Sequence, residues 1–245
     1  MEPGRAESRG VSAIGAGVEI DAADLDVTEI NRRLRAAIAD GATEIRIAHP
    51  KGRHNLAVAL PGDVRVVAQG NVGYFVGALG MGPAVEVLGN AGWSVGADLM
   101  AGSVHIHGNA GSSVGASIRG GRVVVDGDVG PRAAIALKGG EVVVGGGVGY
   151  MTGFMMQAGT LVVGGDAGDA LGDSMYQGDI FLGGTAKSLG ADAVQRDATD
   201  DELTTLRELL EPLGHEWDRP WKHVTSAGTL WHFEKEKYEL WKEAF

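Results

Sequence analysis

The segment Gly70-Asn71-Val72-Gly73 is the first copy of a four-residue motif that recurs along most of the chain. Each copy begins 19 residues after the one before it, with no insertion or deletion between copies. A short and fixed period is typical of a solenoid, in which equivalent residues of successive coils stack on one another. Six further copies follow: Gly89-Asn90-Ala91-Gly92, Gly108-Asn109-Ala110-Gly111, Gly127-Asp128-Val129-Gly130, Gly146-Gly147-Val148-Gly149, Gly165-Asp166-Ala167-Gly168 and the degenerate Gly184-Thr185-Ala186-Lys187.

Apolar residues occupy the positions four and two residues before the first glycine of every copy. A spacing of two, mostly with β-branched side chains, predicts a short strand with one face turned inward. The other face carries variable residues such as His105, His107 and Asp126, as expected where it meets solvent or a partner. The predicted inward pairs are Val66 and Ala68, Val85 and Val87, Val104 and Ile106, Val123 and Val125, Val142 and Val144, Leu161 and Val163, and Ile180 and Leu182.

The motif itself predicts a corner of the coil. Glycine and asparagine tolerate positive φ, and the small Ala or Val between them can fill the inside of the bend. A small residue also recurs seven positions after the first glycine, as at Gly115, and a glycine recurs thirteen positions after it, as at Gly121. A helix is excluded, because each of these glycines would destabilise it by about 1 kcal/mol.

These features predict an all-β fold, a single-stranded right-handed parallel β-helix of about seven 19-residue coils over residues 63–195. The right-handed sense is expected from the rule for parallel crossover connections. Stacked coils lie about 4.8 Å apart, so seven of them make a rod on the order of 30 Å long. A single coil cannot bury its own inner face, so the stack must be long and its ends must be capped.

Residues 1–62 have the pattern of an N-terminal cap. A short strand is predicted at 18–20 and a helix from Asp26, capped by Asp26 or Thr28 and ended near Gly41. Residues 44–47 alternate as a strand, and the apolar run 56–60 predicts a second, buried strand.

Residues 196–245 are predicted to form a C-terminal helix and a docking tail. Thr199 or Asp200 can cap a helix over 199–213, and Gly214 can end it. The tail that follows is too short for a core of its own but rich in large aromatic side chains. Such residues need a surface, either the side of the β-helix or another subunit. The predicted partner-docking residues are Met155, Met156, Trp217, Trp221, Trp231 and Trp241.

Composition narrows the range of functions. The chain has no cysteine, which excludes disulfides, thiolate metal sites and a cysteine nucleophile. A net charge of −11 disfavours nucleic acid and anionic membranes as partners. The first residues lack the apolar core of a signal peptide, and no apolar run reaches the ~18 residues of a membrane span. The expectation is a soluble, cytoplasmic protein.

Several motifs suggest ligand sites, and each has a simpler structural explanation. Residues 142–149 look like a strand entering a dinucleotide-binding loop, but no helix follows. Asp166, Asp169 and Asp173 suggest calcium, but acids do not repeat from coil to coil, which favours surface carboxylates. His105 and His107 share one strand face, yet no third ligand is evident, so exposed histidines are the favoured interpretation.

Other side chains leave the function open. Met155 and Met156 either fill an irregular gap or contact a partner. No nucleophile–base pair can be placed by spacing, so hydrolysis has no positive support. A carbohydrate-binding β-helix would need an aromatic ladder, and the aromatic residues of the coils, Tyr74, Trp93 and Tyr150 among them, are expected not to repeat in register.

Residues 148–163 (VGYMTGFMMQAGTLVV) and 165–176 (GDAGDALGDSMY) resemble the glycine-repeat (GXGXG) domain that closes the large subunit of glutamate synthase. The resemblance extends to residues 49–54 (HPKGRH) and 230–233 (LWHF) and therefore covers nearly the whole chain. It is closest to free-standing versions of the domain, such as the β-helix subunit of the N-methylglutamate synthases, the methylamine–glutamate N-methyltransferases. The β-helix subunit of formylmethanofuran dehydrogenase is similar in repeat and fold.

The resemblance implies a non-catalytic scaffold in a hetero-oligomer that makes N-methylglutamate and ammonia from glutamate and methylamine. Its partners would be a glutamine-amidotransferase-like subunit and a barrel subunit that binds FMN, with an iron–sulfur cluster on the barrel in the large family members. No cofactor, metal or catalytic residue is expected on this chain. The alternatives are the β-helix subunit of a split glutamate synthase or of a formylmethanofuran dehydrogenase or formyltransferase–hydrolase complex.

Overall fold

The computed structural model describes residues 11–14, 17–214 and 219–229, and in this part of the chain twelve strands form one sheet. The two helices are α1 (Val27–Ala39) and α2 (Asp200–Leu210), and a short 3-10 turn, Glu211–Leu213, follows α2. The strands are β1 (Val11–Ile14), β2 (Gly17–Asp21), β3 (Glu44–Ala48), β4 (Arg65–Gln69), β5 (Met81–Val87), β6 (Ala101–Ile106), β7 (Arg122–Val125), β8 (Lys138–Val144), β9 (Ala158–Val163), β10 (Asp179–Leu182), β11 (Ala193–Asp197) and β12 (Lys222–Ser226).

The repeats form a β-solenoid of about seven turns, which confirms the predicted parallel β-helix. Strands β2 to β10 pair in parallel and in chain order, and from β4 onward residues 19 apart face each other across the ladder, as Val104 faces Val123. The predicted inward pairs are almost fully buried and form one continuous core. The small residues of the motif, such as Val129 and Ala167, also belong to this core, as predicted.

The chain bends at the motif as predicted, but the positive φ expected of its asparagines is not found. None of these residues has a positive φ; their side chains instead bond one coil to the next. Asn71 Oδ1 accepts a hydrogen bond from the Asn90 backbone N–H at 2.8 Å, and Asn90 Oδ1 accepts one from Asn109 at 2.8 Å. A Cβ on Gly89 would lie 2.7 Å from Asn71 Oδ1, so glycine is required here by the close approach of two coils.

Left-handed backbone occurs instead at other points of each coil. The glycines seven and thirteen positions after the first glycine of the motif have positive φ, 64° at Gly115 and 76° at Gly121, at the further corners that their recurrence predicted. Non-glycine residues such as Ser94 and Asp98 also adopt it, at a cost of about 1 kcal/mol or more each. Backbone bonds between coils hold them there: the Ser94 N–H donates to Ser112 O at 2.8 Å.

The N-terminal cap continues the stack of coils. Strand β2 is parallel to β3, α1 connects them, and Asp26 caps α1 by accepting from the Glu29 N–H at 2.8 Å. The predicted strand at 56–60 is wrong, because this segment forms turns with positive φ at Ala57 and Ala59. Its backbone is bonded to the first repeat coil, with the Ala59 N–H donating to Ala78 O at 2.8 Å.

The C-terminal segment caps the other end and covers one side of the rod. Strand β12 pairs antiparallel with both β10 and β11. Helix α2 begins at the predicted cap Thr199, whose capping box includes Glu202, and Gly214 follows the 3-10 turn in the left-handed conformation. Leu206, Leu210 and Trp221 bury the outer faces of four strands and form a second core with Val124, Val143, Val162 and Phe181.

Neither helix of the described segments is long and apolar enough to cross a membrane.

Candidate functional site

A cluster of polar side chains lies on the outer strand face where β5, β6 and β7 end. This histidine cluster consists of Glu86, His105, His107 and Asp126. The Asp126 carboxylate bridges the two rings: its Oδ1 lies 2.7 Å from His105 Nε2, and its Oδ2 lies 3.0 Å from His107 Nδ1. Glu86 Oε1 lies 2.8 Å from His107 Nε2. All four side chains are only partly exposed.

Both ring nitrogens of His107 therefore face carboxylate oxygens, and only the imidazolium form can donate to both. Partial burial opposes that charge, but hydrogen bonds to Glu86 and Asp126 outweigh it and raise the pKa of His107. For Asp126, burial raises the pKa, yet the bonds from His105 and His107 leave it below its usual value. The cluster thus concentrates two imidazoles and a carboxylate in one small volume.

The expectation that the two histidines lack a third ligand is wrong. His105, His107 and Asp126 offer ligand atoms that all lie within 4.8 Å of one another, the one such group of metal-type side chains found among the described residues. The signal was present in the sequence, because Asp126 follows His107 by one repeat and therefore stacks beside it.

Three aromatic rings stack at one corner of the first coils, contrary to the expectation that aromatic residues would not repeat in register. His54 and Tyr74 have ring centroids 4.3 Å apart, and Tyr74 and Trp93 have centroids 5.0 Å apart with planes 13° from parallel. The rings cover one another, and a side chain at Gly111 would collide with Trp93. Tyr74, the middle ring, is covered on both faces by His54 and Trp93, so it offers a sugar mainly its edge, and three rings at one end of the rod are not the long aromatic ladder of a carbohydrate-binding β-helix.

Large apolar side chains are exposed on the turn segments of the first two repeat coils and at the start of β5. This turn patch consists of six of the eleven exposed large apolar residues of the described chain: Tyr74, Phe75, Leu79, Met81, Trp93 and Met100. Met81 is 65% exposed and Trp93 is 55% exposed. The two coils are bonded along this segment, since Phe75 N–H donates to Trp93 O at 2.8 Å and Leu79 N–H to Ala97 O at 2.9 Å. The patch is therefore carried on a rigid backbone.

The six predicted docking residues are placed very differently. Met155 is exposed, whereas Met156 is fully buried in the interior of the coils, where it fills space beside Gly178. Trp221 is 5% exposed and packs in the second core. In this conformation, neither Met156 nor Trp221 is accessible to a partner. Trp217, Trp231 and Trp241 lie outside the described residues.

The other suggested ligand sites are used by the fold itself. Asp166 Oδ1 accepts from the Thr185 N–H at 2.7 Å, and Asp169 pairs with Lys187 at 2.9 Å, so these carboxylates bond adjacent coils. Asp173 accepts from the Ala191 N–H at 3.1 Å. In the segment 142–149, β8 leads into another motif corner and no helix follows, unlike a dinucleotide-binding loop.

A buried histidine of β12 bonds β10 and lies beside Glu202 of α2. His223 is 4% exposed, stacks on Phe181 and has its Nε2 2.8 Å from Asp179 Oδ1. Its Nδ1 lies 3.1 Å from Glu202 Oε1, but the atoms are not aligned as a hydrogen bond, so we regard this contact as electrostatic only. The Arg196 guanidinium, opposed by partial burial, lowers the pKa of Glu202 to about 2.

Glu202→Gln should weaken the attachment of α2 by about 1–2 kcal/mol at pH 7, because it removes the ion pair with Arg196 and weakens the capping box. A carboxylate with a lowered pKa stabilises the fold above its unfolded pKa near 4.5, and this stabilisation is lost as the pH falls towards 2. Urea unfolding of wild type and variant should therefore differ at pH 7 and converge in acid. Glu208→Gln, an exposed change on the same helix, should be within 0.5 kcal/mol of wild type at both pH values. A difference between Glu202→Gln and wild type that did not depend on pH would contradict the ionic contribution.

No family model matches the chain, and a search of curated proteins finds no significant match.

Proposed function

We propose that this chain is a non-catalytic β-helix scaffold subunit of an N-methylglutamate synthase-like complex. The complex converts glutamate and methylamine into N-methylglutamate and ammonia, with FMN bound to a partner barrel subunit. A glutamine-amidotransferase-like subunit completes the hetero-oligomer. The observation that carries the scaffold role is the turn patch, an exposed apolar surface on a rigid rod.

The turn patch has the character of a protein-binding surface. Several exposed large apolar residues on two adjacent coils favour an interaction site, because large exposed apolar patches are rare on monomeric proteins. Methionine and aromatic residues, which make up five of its six members, are enriched in interface cores. The bonded backbone beneath them means that little conformational entropy would be lost on association.

The chemistry of the chain supports a division of labour. A chain without cysteine has no thiol nucleophile for glutamine hydrolysis and no thiolate ligands for an iron–sulfur cluster. Thiol chemistry and any cluster are therefore assigned to the partners, and the placement of FMN on the barrel subunit follows from the family resemblance. The choice of methylamine as the amine substrate rests on the resemblance of residues 148–163 and 165–176 described above.

The proposal is tested by coexpressing the untagged chain with tagged amidotransferase-like and FMN-barrel subunits. We expect a ternary complex with a flavin spectrum that forms N-methylglutamate from methylamine and glutamate. The double change Met81→Ser and Trp93→Ser should lower the recovery of this chain with its partners at least tenfold. Tyr150→Ser is the matched control, because Tyr150 occupies the coil position of Trp93 and is 48% exposed but lies outside the patch.

Equal recovery of the double variant and the control would contradict docking through the turn patch. Turnover by this chain alone would contradict the scaffold role. The same experiment separates the alternative complexes. A split glutamate synthase would form glutamate and require glutamine, and a formylmethanofuran-type complex would not form with these two partners.

A further inference from the structure

We infer that His105, His107 and Asp126 form a binding site for a divalent transition-metal ion such as Zn²⁺. The inference rests on the geometry of the histidine cluster and is independent of the proposed scaffold role. The three side chains come from two adjacent coils, at the ends of β6 and β7, and their ligand atoms already converge to within 4.8 Å.

The donor set determines the class of ion. Two imidazole nitrogens and one carboxylate oxygen suit Zn²⁺, Co²⁺, Ni²⁺ and Cu²⁺. Calcium and magnesium prefer oxygen ligands alone, so they are disfavoured here. Without any cysteine, the chain cannot form a thiolate zinc site, so any zinc ligands must be imidazole nitrogens or carboxylate oxygens, as in this cluster.

The distances permit coordination with small side-chain movements. The His105–Asp126 and His107–Asp126 contacts of 2.7 and 3.0 Å are hydrogen-bond distances. Ligands held about 2.0–2.1 Å from a tetrahedral zinc are roughly 3.3 Å from one another. These two contacts, which use different oxygens of Asp126, must therefore open by about 0.3–0.6 Å, and the widest separation among the three ligand atoms, at most 4.8 Å, must close by up to about 1.5 Å. The side chains are between 29% and 36% exposed, so they have room to rotate.

Glu86 positions His107 for this role. Its Oε1 accepts from His107 Nε2 at 2.8 Å, which leaves Nδ1 directed at Asp126 and free to bind the ion once it has lost its proton. Glu86 is in turn held by Arg65, which also bonds Glu44 Oε2 at 3.1 Å. A carboxylate that orients a ligating histidine in this way is a common feature of zinc sites.

Three protein ligands leave at least one coordination position to solvent. In zinc proteins this is the arrangement in which the ion binds water or an exogenous ligand, whereas purely structural sites have four protein ligands. Here the ion would also join β6 to β7, so its binding should raise the melting temperature of the whole chain.

The test uses the untagged full-length chain after removal of metal with EDTA. Isothermal titration with Zn²⁺ should show one ion per chain, and Co²⁺ should give the intense visible bands of four- or five-coordinate cobalt. His105→Ala, His107→Ala and Asp126→Asn should each lower the Zn²⁺ affinity at least 100-fold. His49→Gln is the matched control: His49 Nδ1 contacts Asp21 Oδ1 at 2.9 Å, without a second histidine in the pair, and the affinity should not change.

Glu86→Gln should lower the affinity 10- to 100-fold and leave the cobalt spectrum unchanged. The three ligands remain, and only the hydrogen bond that orients His107 becomes weaker. If a variant fails to fold, nitrogen chemical shifts of the histidine rings in the wild-type chain give the same information, and Zn²⁺ should shift His105 Nε2 and His107 Nδ1. Absence of saturable Zn²⁺ binding by wild type would overturn the inference. So would unchanged affinity in all three ligand variants, or a loss in the His49→Gln control as large as theirs.

Discussion

Gly140→Ala should destabilise the β-helix by about 2–5 kcal/mol. A Cβ at this position would lie 2.5 Å from Gly121 O and 2.9 Å from Gly120 C, both backbone atoms of the preceding coil. The φ of 69° adds the cost of a left-handed alanine, about 1–2 kcal/mol, to an overpacking cost of about 1–3 kcal/mol. Neighbouring coils are bonded on both sides, so the strain cannot be relieved locally. Urea unfolding followed by far-UV circular dichroism measures the loss.

Gly52→Ala provides the control for backbone strain alone. Gly52 has a φ of 67°, nearly that of Gly140, but no atom lies within 4 Å of its Cβ position. Its substitution should cost only about 1–2 kcal/mol. Equal losses of stability in the two variants would mean that the close approach of the coils adds nothing to the cost of Gly140→Ala. Positive φ alone would then explain the glycine at this position of the repeat.

The periodic features of the sequence predicted most of the fold. Strand positions, inward residues and ladder register all follow from a 19-residue repeat, since identical coils can stack in only one register that buries every Val pair such as Val123 and Val125. Helix α2 was predictable for a different reason: its cap at Thr199 and its leucine spacing are local signals.

The role of the motif glycines could not be decided from sequence. Glycine is required both where φ is positive and where another backbone approaches closely. A Gly-Asn sequence fits either situation, so it does not reveal which of the two applies. At Gly89 the reason is close approach, because a Cβ there would collide with Asn71 of the adjacent coil. The strand predicted at 56–60 was wrong for a similar reason. Leu56 and Leu60 are buried in the turns that form there, so apolar residues alone do not distinguish a strand from a series of turns.

The histidine cluster depends on a contact between coils. His105 and His107 are neighbours in sequence, but their third partner, Asp126, becomes their neighbour only when one coil stacks on the next. The aromatic stack of Tyr74 and Trp93 arises in the same way. In a solenoid, candidate sites are therefore found by comparing residues one period apart as well as residues close in sequence.

Trp221→Ala should cost about 3–5 kcal/mol, the range for truncating a buried large aromatic residue, and should release α2 from the side of the rod. Trp221 packs in the second core with Leu206 and Leu210, and its backbone oxygen accepts from the Ala198 N–H at 3.0 Å. Hydrogen exchange should show lost protection in α2 and β12 but retained protection in the coils. The coils keep their own continuous core, so their unfolding need not be coupled to that of α2.

Trp93→Ala is the complementary variant, since Trp93 is the exposed tryptophan of the turn patch. Its loss removes one stacked aromatic pair, worth about 0.5–1.5 kcal/mol, and should leave the protection of α2 unchanged. Partner recovery should fall for Trp93→Ala and remain near wild type for Trp221→Ala at temperatures where the coils are folded. The opposite result for Trp221→Ala would be intact protection of α2 together with lost partner recovery. That result would show that Trp221 leaves the second core to bind a partner, as predicted from the aromatic residues of the tail. An aromatic side chain of the tail can pack against its own chain or against a partner. The burial of Trp221 against α2 favours packing within its own chain.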